Sequence, residues 1–126
     1  MGTLKAKITL TSSDISSDSI NFSVENTLTV NNGGIIRTKV TGNTLSDATV
    51  LFSAGSYTYP TYLYIKNTDA TATDFVHINL DPFTDSTIQL RGGEWTWIPW
   101  KAANDITVYT SNTDDNTVIE YGLFYA

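Results

Sequence analysis

Cysteine is absent from all 126 residues, so the chain has neither a disulfide framework nor thiolate chemistry. That suits folding in a reducing cytoplasm. Clustered basic charge is missing too. Thirteen Asp and Glu stand against seven Lys and Arg, for a net charge of −6, and the nearest approach to a cluster is Lys5 with Lys7. Nucleic acid and anionic membrane both select clustered positive charge, so neither is an expected partner. No apolar run approaches the roughly 20 residues of a membrane span. MGTLKAKITL has two lysines but no long apolar run behind them, so no signal peptide is expected. Sustained helical periodicity is also lacking. Ala48 to Phe52 and KAAND (Lys101 to Asp105) are short candidates only.

The usual signs of a reaction centre are missing as well. There is no GxSxG nucleophile elbow, and each Gly-Gly pair reads as a turn rather than a phosphate loop. The single histidine, His77, falls mid-strand, where a lone imidazole is more often packed than catalytic. The ten Asp are scattered through turn motifs. DPFTD (Asp81 to Asp85) and NTDDN (Asn112 to Asn116) lack EF-hand spacing and read as turns. Asn21-Phe22-Ser23 matches a glycosylation sequon but falls within a strand. No catalytic residue, metal ligand or cofactor site is assigned, and the chain is not expected to be an enzyme.

What the chain does hold is Thr, Ser and Asn in quantity, the first a strand former and the others turn formers. Alternation runs throughout. Leu4, Ala6, Ile8 and Leu10 share one face. After the polar connection Thr11 to Ser19, Ile20, Phe22, Val24, Leu28 and Val30 share another, broken only at Asn26, where a bulge or bend is expected. NNGG (Asn31 to Gly34) and TGNT (Thr41 to Thr44) read as turns, with strands at Ile35 or Ile36 to Val40 and at Val50 to Phe52. Tyr62 to Asn67 and Phe75 to Leu80 read as a hairpin pairing Ile65 with Val76. Ile106 to Ser111 and Thr117 to Tyr125 read as another. The expected fold is an all-β, two-sheet antiparallel sandwich of eight or nine strands with Greek-key or jelly-roll connections; a closed barrel is the alternative. It spans 1–126 as one domain, with 1–19 as an N-terminal arm plus polar linker.

RGGEWTWIPW (Arg91 to Trp100) contains all three tryptophans. A two-residue hairpin at Gly92-Gly93 pairs Arg91 with Glu94, Leu90 with Trp95, and Ile88 with Trp97. That register sends Trp95 and Trp97 to the apolar face with Ile88 and Leu90. Trp100, beyond Pro99, is then the ring on display. The alternative is a platform of flat rings for carbohydrate, but paired Trp opposite an apolar strand more commonly packs inward.

Several strands carry apolar residues on both faces. Four tyrosines lie within Tyr57 to Tyr64, and the Tyr62–Leu80 register places Tyr62, Tyr64, Phe75 and His77 on one surplus aromatic face. Tyr and Trp are enriched at protein interfaces. The interface candidates are therefore Tyr57, Tyr59, Tyr62, Tyr64, Phe75, His77 and Trp100.

From Thr61 onward, YLYIKNTDATATDFVHINL, IQLRGGEWTWIPW and DITVYTSNTDDNTVIEYGLFY resemble small virion structural proteins of tailed bacteriophages. The resemblance rests on Leu90, Gly93, Glu94, Trp95, Ile98, Pro99, Glu120 and Tyr121 and covers about half the chain. It implies a β-sandwich that decorates or cements a phage head, with the major capsid protein or other virion proteins as partners and the virion as its location. It also implies a homo-oligomer, with a trimer favoured. A tail, neck or fibre component is the nearest alternative, and a carbohydrate-binding module is the alternative of another class.

Overall fold

The structure, a computed structural model, describes residues 2–55, 57, 61–71, 73–81, 88–111 and 117–126. It holds ten strands: β1 (Gly2–Ser12), β2 (Ile20–Val30), β3 (Asn32–Lys39), β4 (Thr49–Phe52), β5 (Thr61–Asn67), β6 (Val76–Asn79), β7 (Ile88–Leu90), β8 (Trp95–Trp100), β9 (Ile106–Thr110) and β10 (Val118–Tyr125). The helical content among the described residues is one short 3-10 turn, Leu45–Asp47. The all-β expectation holds. The chain divides into two compact units, Met1–Asn31 and Asn32–Ala126.

The first unit is an antiparallel ribbon. β1 and β2 pair without a register shift from Gly2↔Val30 to Ser12↔Ile20. Directly opposed residues share a face. One face therefore collects Leu4, Ala6, Ile8 and Leu10 with Leu28, Asn26, Val24 and Phe22. The other collects Thr3, Lys5, Lys7 and Thr9 with Thr29, Thr27, Glu25 and Ser23, and carries a Lys5–Glu25 ion pair at 3.5 Å. Asn26 sits opposite the small side chain of Ala6 in an unbroken ladder, so the expected bulge is absent. The stretch expected as arm and linker supplies β1 and the turn, and β2 completes the ribbon.

The second unit is a sandwich of two four-stranded antiparallel sheets. Sheet I has the order β3-β10-β5-β8, and sheet II the order β4-β9-β6-β7. The first strand lies beside the last in sheet I, and the second beside the second-last in sheet II. This is the wrapping order of a jelly roll. Only β6 and β7, of the sandwich strands, pair with their sequence neighbour in the same sheet.

The core lies between the sheets. Leu63 and Ile65 of β5 and Ile119 and Leu123 of β10 face Val76 and Ile78 of β6 and Ile106 and Val108 of β9. Fully burying one such side chain contributes about 1.5–3 kcal/mol. Buried polar groups are paired: on the outer face of sheet II Asn79 Nδ2 donates to Thr107 Oγ1 at 3.1 Å, and the Thr110 and Thr117 hydroxyls bond each other. β5 shows the alternation at full contrast, buried at every odd residue and half-buried at every even one.

Three expected hairpins are corrected. β5 and β6 lie in different sheets, as do β7 and β8, and β9 and β10. The physical reason is that alternation states which residues face the core, and an arch from one sheet to the other uses the same inward residues as a hairpin within one. Leu63, Ile65, Val76 and Ile78 are inward under either connection. NNGG is corrected too: Asn32 to Gly34 belong to β3 and pair with Tyr125, Phe124 and Leu123.

Candidate functional site: an aromatic face on sheet I

The Gly92-Gly93 turn decides where the tryptophans go. Glu94 N–H donates to Arg91 C=O at 3.0 Å, and Gly93 has φ +86°. A positive φ at the third position marks a type II turn, which splays the flanking strands, unlike the primed turns of tight hairpins. The chain therefore leaves sheet II at Leu90 and enters sheet I at Trp95. A Cβ at Gly92 would lie 2.5 Å from the Thr71 carbonyl oxygen, so the neighbouring loop also demands glycine there. The expected Arg91–Glu94 cross-strand charge pair does not form. Glu94 Oε2 instead accepts from the Arg91 backbone N–H at 2.7 Å, while the Arg91 guanidinium lies 5.5 Å from the Phe75 ring centroid.

This crossing inverts the expected facing of the tryptophans. Trp95 is 49 % exposed, Trp97 is half-buried on the outer face of sheet I, and Trp100 is 8 % exposed, packed in the core. Trp100 does share the phase of Ile98, as the alternation indicates; the error lies in which phase faces in. Trp100 leans on Phe52 and Tyr57, at 6.0 and 5.8 Å between ring centroids. It is no displayed ring.

Strand register builds the outer face of sheet I in rows. Gly33, Phe124, Tyr62 and Pro99 form one row, and Ile35, Gly122, Tyr64 and Trp97 the next. Arg37, Glu120, Lys66 and Trp95 form a third. Tyr62 and Trp97 are stacked, 5.6 Å between centroids and 10° between planes, and Trp97 continues to Phe124 at 5.7 Å. The glycines let this layer lie close to the sheet: a Cβ at Gly33 would collide with the Phe124 ring.

The charged row borders the aromatic one and is wired to it. Tyr64 Oη donates to Glu120 Oε1 at 2.9 Å, and Arg37 Nε donates to Glu120 Oε2 at 3.1 Å. Burial pushes the Tyr64 hydroxyl above its ordinary pKa, and the hydrogen bond to Glu120 adds to the rise. The same hydrogen bond, with that from Arg37, holds the Glu120 carboxyl below its ordinary value.

The remaining candidates are dispersed. His77 lies in β6 of sheet II and Phe75 immediately precedes that strand, so neither joins the face of Tyr62 and Tyr64, because β5 and β6 do not pair. His77 stacks on Tyr109 at 4.5 Å. Tyr57 packs edge-on against Phe52 and Tyr125 at the border of the core. Tyr59 lies outside the described residues, as do NTDDN and all of DPFTD after Asp81. Sequence reasoning missed Trp95, Trp97, Phe124 and the Arg37–Glu120 pair as parts of one surface. The available signal was Pro99, which shares the phase of Trp95 and Trp97. Among the described residues no group of three or more His, Asp or Glu is placed to hold a metal ion, and no helix is long and apolar enough to cross a membrane.

No protein-family model matches the chain, and no curated protein matches it.

Proposed function

We propose that the chain is a non-enzymatic structural protein of a tailed-phage virion, a capsid decoration or cement protein that bridges neighbouring shell subunits. The observation that carries this reading is the aromatic layer of Tyr62, Trp97 and Phe124 beside exposed Trp95. It stands on the face of sheet I that the protein's own core does not use. Contiguous apolar surface rimmed by polar residues marks interaction sites, and Tyr and Trp are enriched there. The ribbon adds a second open apolar surface, where Ile8, Leu10, Phe22 and Val24 are exposed on one face. The jelly-roll order is compatible by fold analogy, since such rolls build capsid and lectin domains. The resemblance of the Thr61 to Ala126 segment supplies the phage context.

In this reading the partner is the major capsid protein or another virion protein, and the chain joins the particle in the host cytoplasm. Each copy contributes little, and many copies together stabilise the shell. A tail, neck or fibre position uses the same surfaces. A second reading, carbohydrate binding, is favoured by one observation: Trp95 is half open and directly opposite Lys66, a ring beside a hydrogen-bond donor.

The test is co-sedimentation of the purified chain with purified shells that lack it, alongside mass spectrometry of intact particles. Replacing Tyr62 and Tyr64 together by Ser should reduce co-sedimentation on the order of tenfold or more while circular dichroism stays unchanged. Shell binding indifferent to that change removes the aromatic layer from the interface. Quenching of Trp fluorescence by soluble glycans, with no affinity for shells, replaces this reading with the second.

A further inference from the structure

We infer that the chain pairs with a second copy of itself along β3, antiparallel and centred on Ile35. β3 is an edge strand of sheet I, with β10 on one side and, among the described residues, no strand on the other. It has no proline, and its ladder with β10 has no register shift. An edge with neither proline nor bulge is open to pairing with another strand, and the charges of β3 are confined to Arg37 and Lys39 at its end. Ile35 and Ile36, on opposite faces of β3, are 55 % and 58 % exposed.

What singles out a second copy is a matching space. On the inner face of sheet I, Gly34 heads a row that continues through Leu123, Leu63 and Ile98. A β-carbon at Gly34 would have no atom within 4 Å. Gly34 and Ile36 line an open cleft of about 380 Å³ whose walls include Phe52, Tyr121, Leu123 and Tyr125. In the register centred on Ile35, Ile36 of the second copy lies directly opposite Gly34 and extends that row into the cleft. The two-fold repeats the fit in reverse, with Ile36 beside Gly34 of the second copy. On the outer face the two Ile35 side chains meet. One register thus covers both exposed isoleucines and fills both spaces, as an isologous contact requires.

Registers shifted toward Lys39 do worse. Centring on Ile36 sets Thr38 against Gly34 and Arg37 against Ile35. Centring on Arg37 or Thr38 sets like charges opposite each other, which is unfavourable. Centred on Ile35, Arg37 faces Gly33. An edge of eight residues is about 27 Å long and buries on the order of 500 Å² per partner, short of the roughly 800 Å² of a standard interface. The dimer is therefore concentration-dependent, and it closes at two copies rather than the three that the phage resemblance implies.

Sedimentation of the full chain from micromolar to hundreds of micromolar should show monomer giving way to dimer. Gly34→Val has room within its own sheet and should leave the fold intact while weakening the dimer on the order of tenfold or more. Exchanging the pair, Gly34→Ile with Ile36→Gly, should restore it, because space and side chain trade places across the two-fold. As the chain has no cysteine, Ile35→Cys provides a lone thiol and should form a disulfide-linked dimer on mild oxidation; Val50→Cys, exposed on β4, should not. Monomer at every concentration, a trimer, or a dimer indifferent to Gly34→Val overturns the inference. Should Gly34→Val fail to fold, the exchanged pair and the Ile35→Cys cross-link decide it.

Discussion

β5 and the ribbon strands are written in the same alternating pattern and meet different fates. Every second residue of β5 is buried, whereas β1 and β2, longer and as regular, leave Ile8, Leu10, Phe22 and Val24 exposed. Alternation therefore encodes a face. Whether that face becomes core depends on what lies against it, and in the sandwich that is the opposite sheet. A two-stranded ribbon has no second layer of its own, and isolated hairpins are marginal in water.

This contrast can be broken or sharpened. The largest effect is expected in the core: Ile65→Ala should cost about 2–5 kcal/mol in denaturant unfolding, while Leu10→Ala in the ribbon should cost under ~1 kcal/mol. Equal losses at the two sites would show that the ribbon face is packed as a core.

Next is Asn67, fully buried at the end of β5. Its Nδ2 donates to the Asp74 and Leu90 carbonyls, and its Oδ1 accepts from the Asp69 N–H. Asn67→Ala leaves a buried Leu90 carbonyl short of a donor and should cost about 1–3 kcal/mol, with earlier proteolysis around residues 68–74. A loss near zero in chemical denaturation would remove Asn67 as the tie between the sheets.

A smaller effect is expected from pH. The folded Glu120 carboxyl titrates below its ordinary value, so its contribution is present above about pH 4.5 and is lost as pH falls through the lowered folded value. Glu120→Gln should flatten that part of the acid limb of a melting-temperature profile. An unchanged limb would show that the Tyr64 and Arg37 contacts do not persist in solution. The smallest effect is on the ribbon's polar face. The Lys5–Glu25 pair is solvent-exposed, and Lys5→Ala should change unfolding by no more than ~0.5 kcal/mol, measurable only with a double-mutant cycle through Glu25.

Inward phase and strand position were largely legible in the sequence. Leu63, Ile65, Val76, Ile78, Ile88 and Leu90 face inward as their alternation indicates, and the Thr11 to Ser19 connection joins two strands that do pair. Lateral neighbours were not legible. A jelly roll pairs strands distant in sequence, and no local pattern distinguishes an arch from a hairpin. The tryptophans show the cost of that ambiguity. Trp95 and Trp97 share one phase with Pro99, and Ile98 and Trp100 share the other, so both phases are apolar and only the turn type chooses. Tyr62 and Tyr64 do occupy the half-buried phase of β5, opposite its buried one, as the alternation indicates. Their companions Trp97 and Phe124 come from strands whose adjacency appears only in the folded chain.

The wrapping order also sets a timetable for synthesis. β3 is the first strand of the sandwich to be made, yet its neighbour in sheet I is β10, the sandwich's last. At ordinary rates of translation, roughly 4–16 s separate the two. Throughout that interval β3 lacks the one neighbour that sheet I gives it, and neighbouring nascent chains on one messenger carry the same strand in the same state.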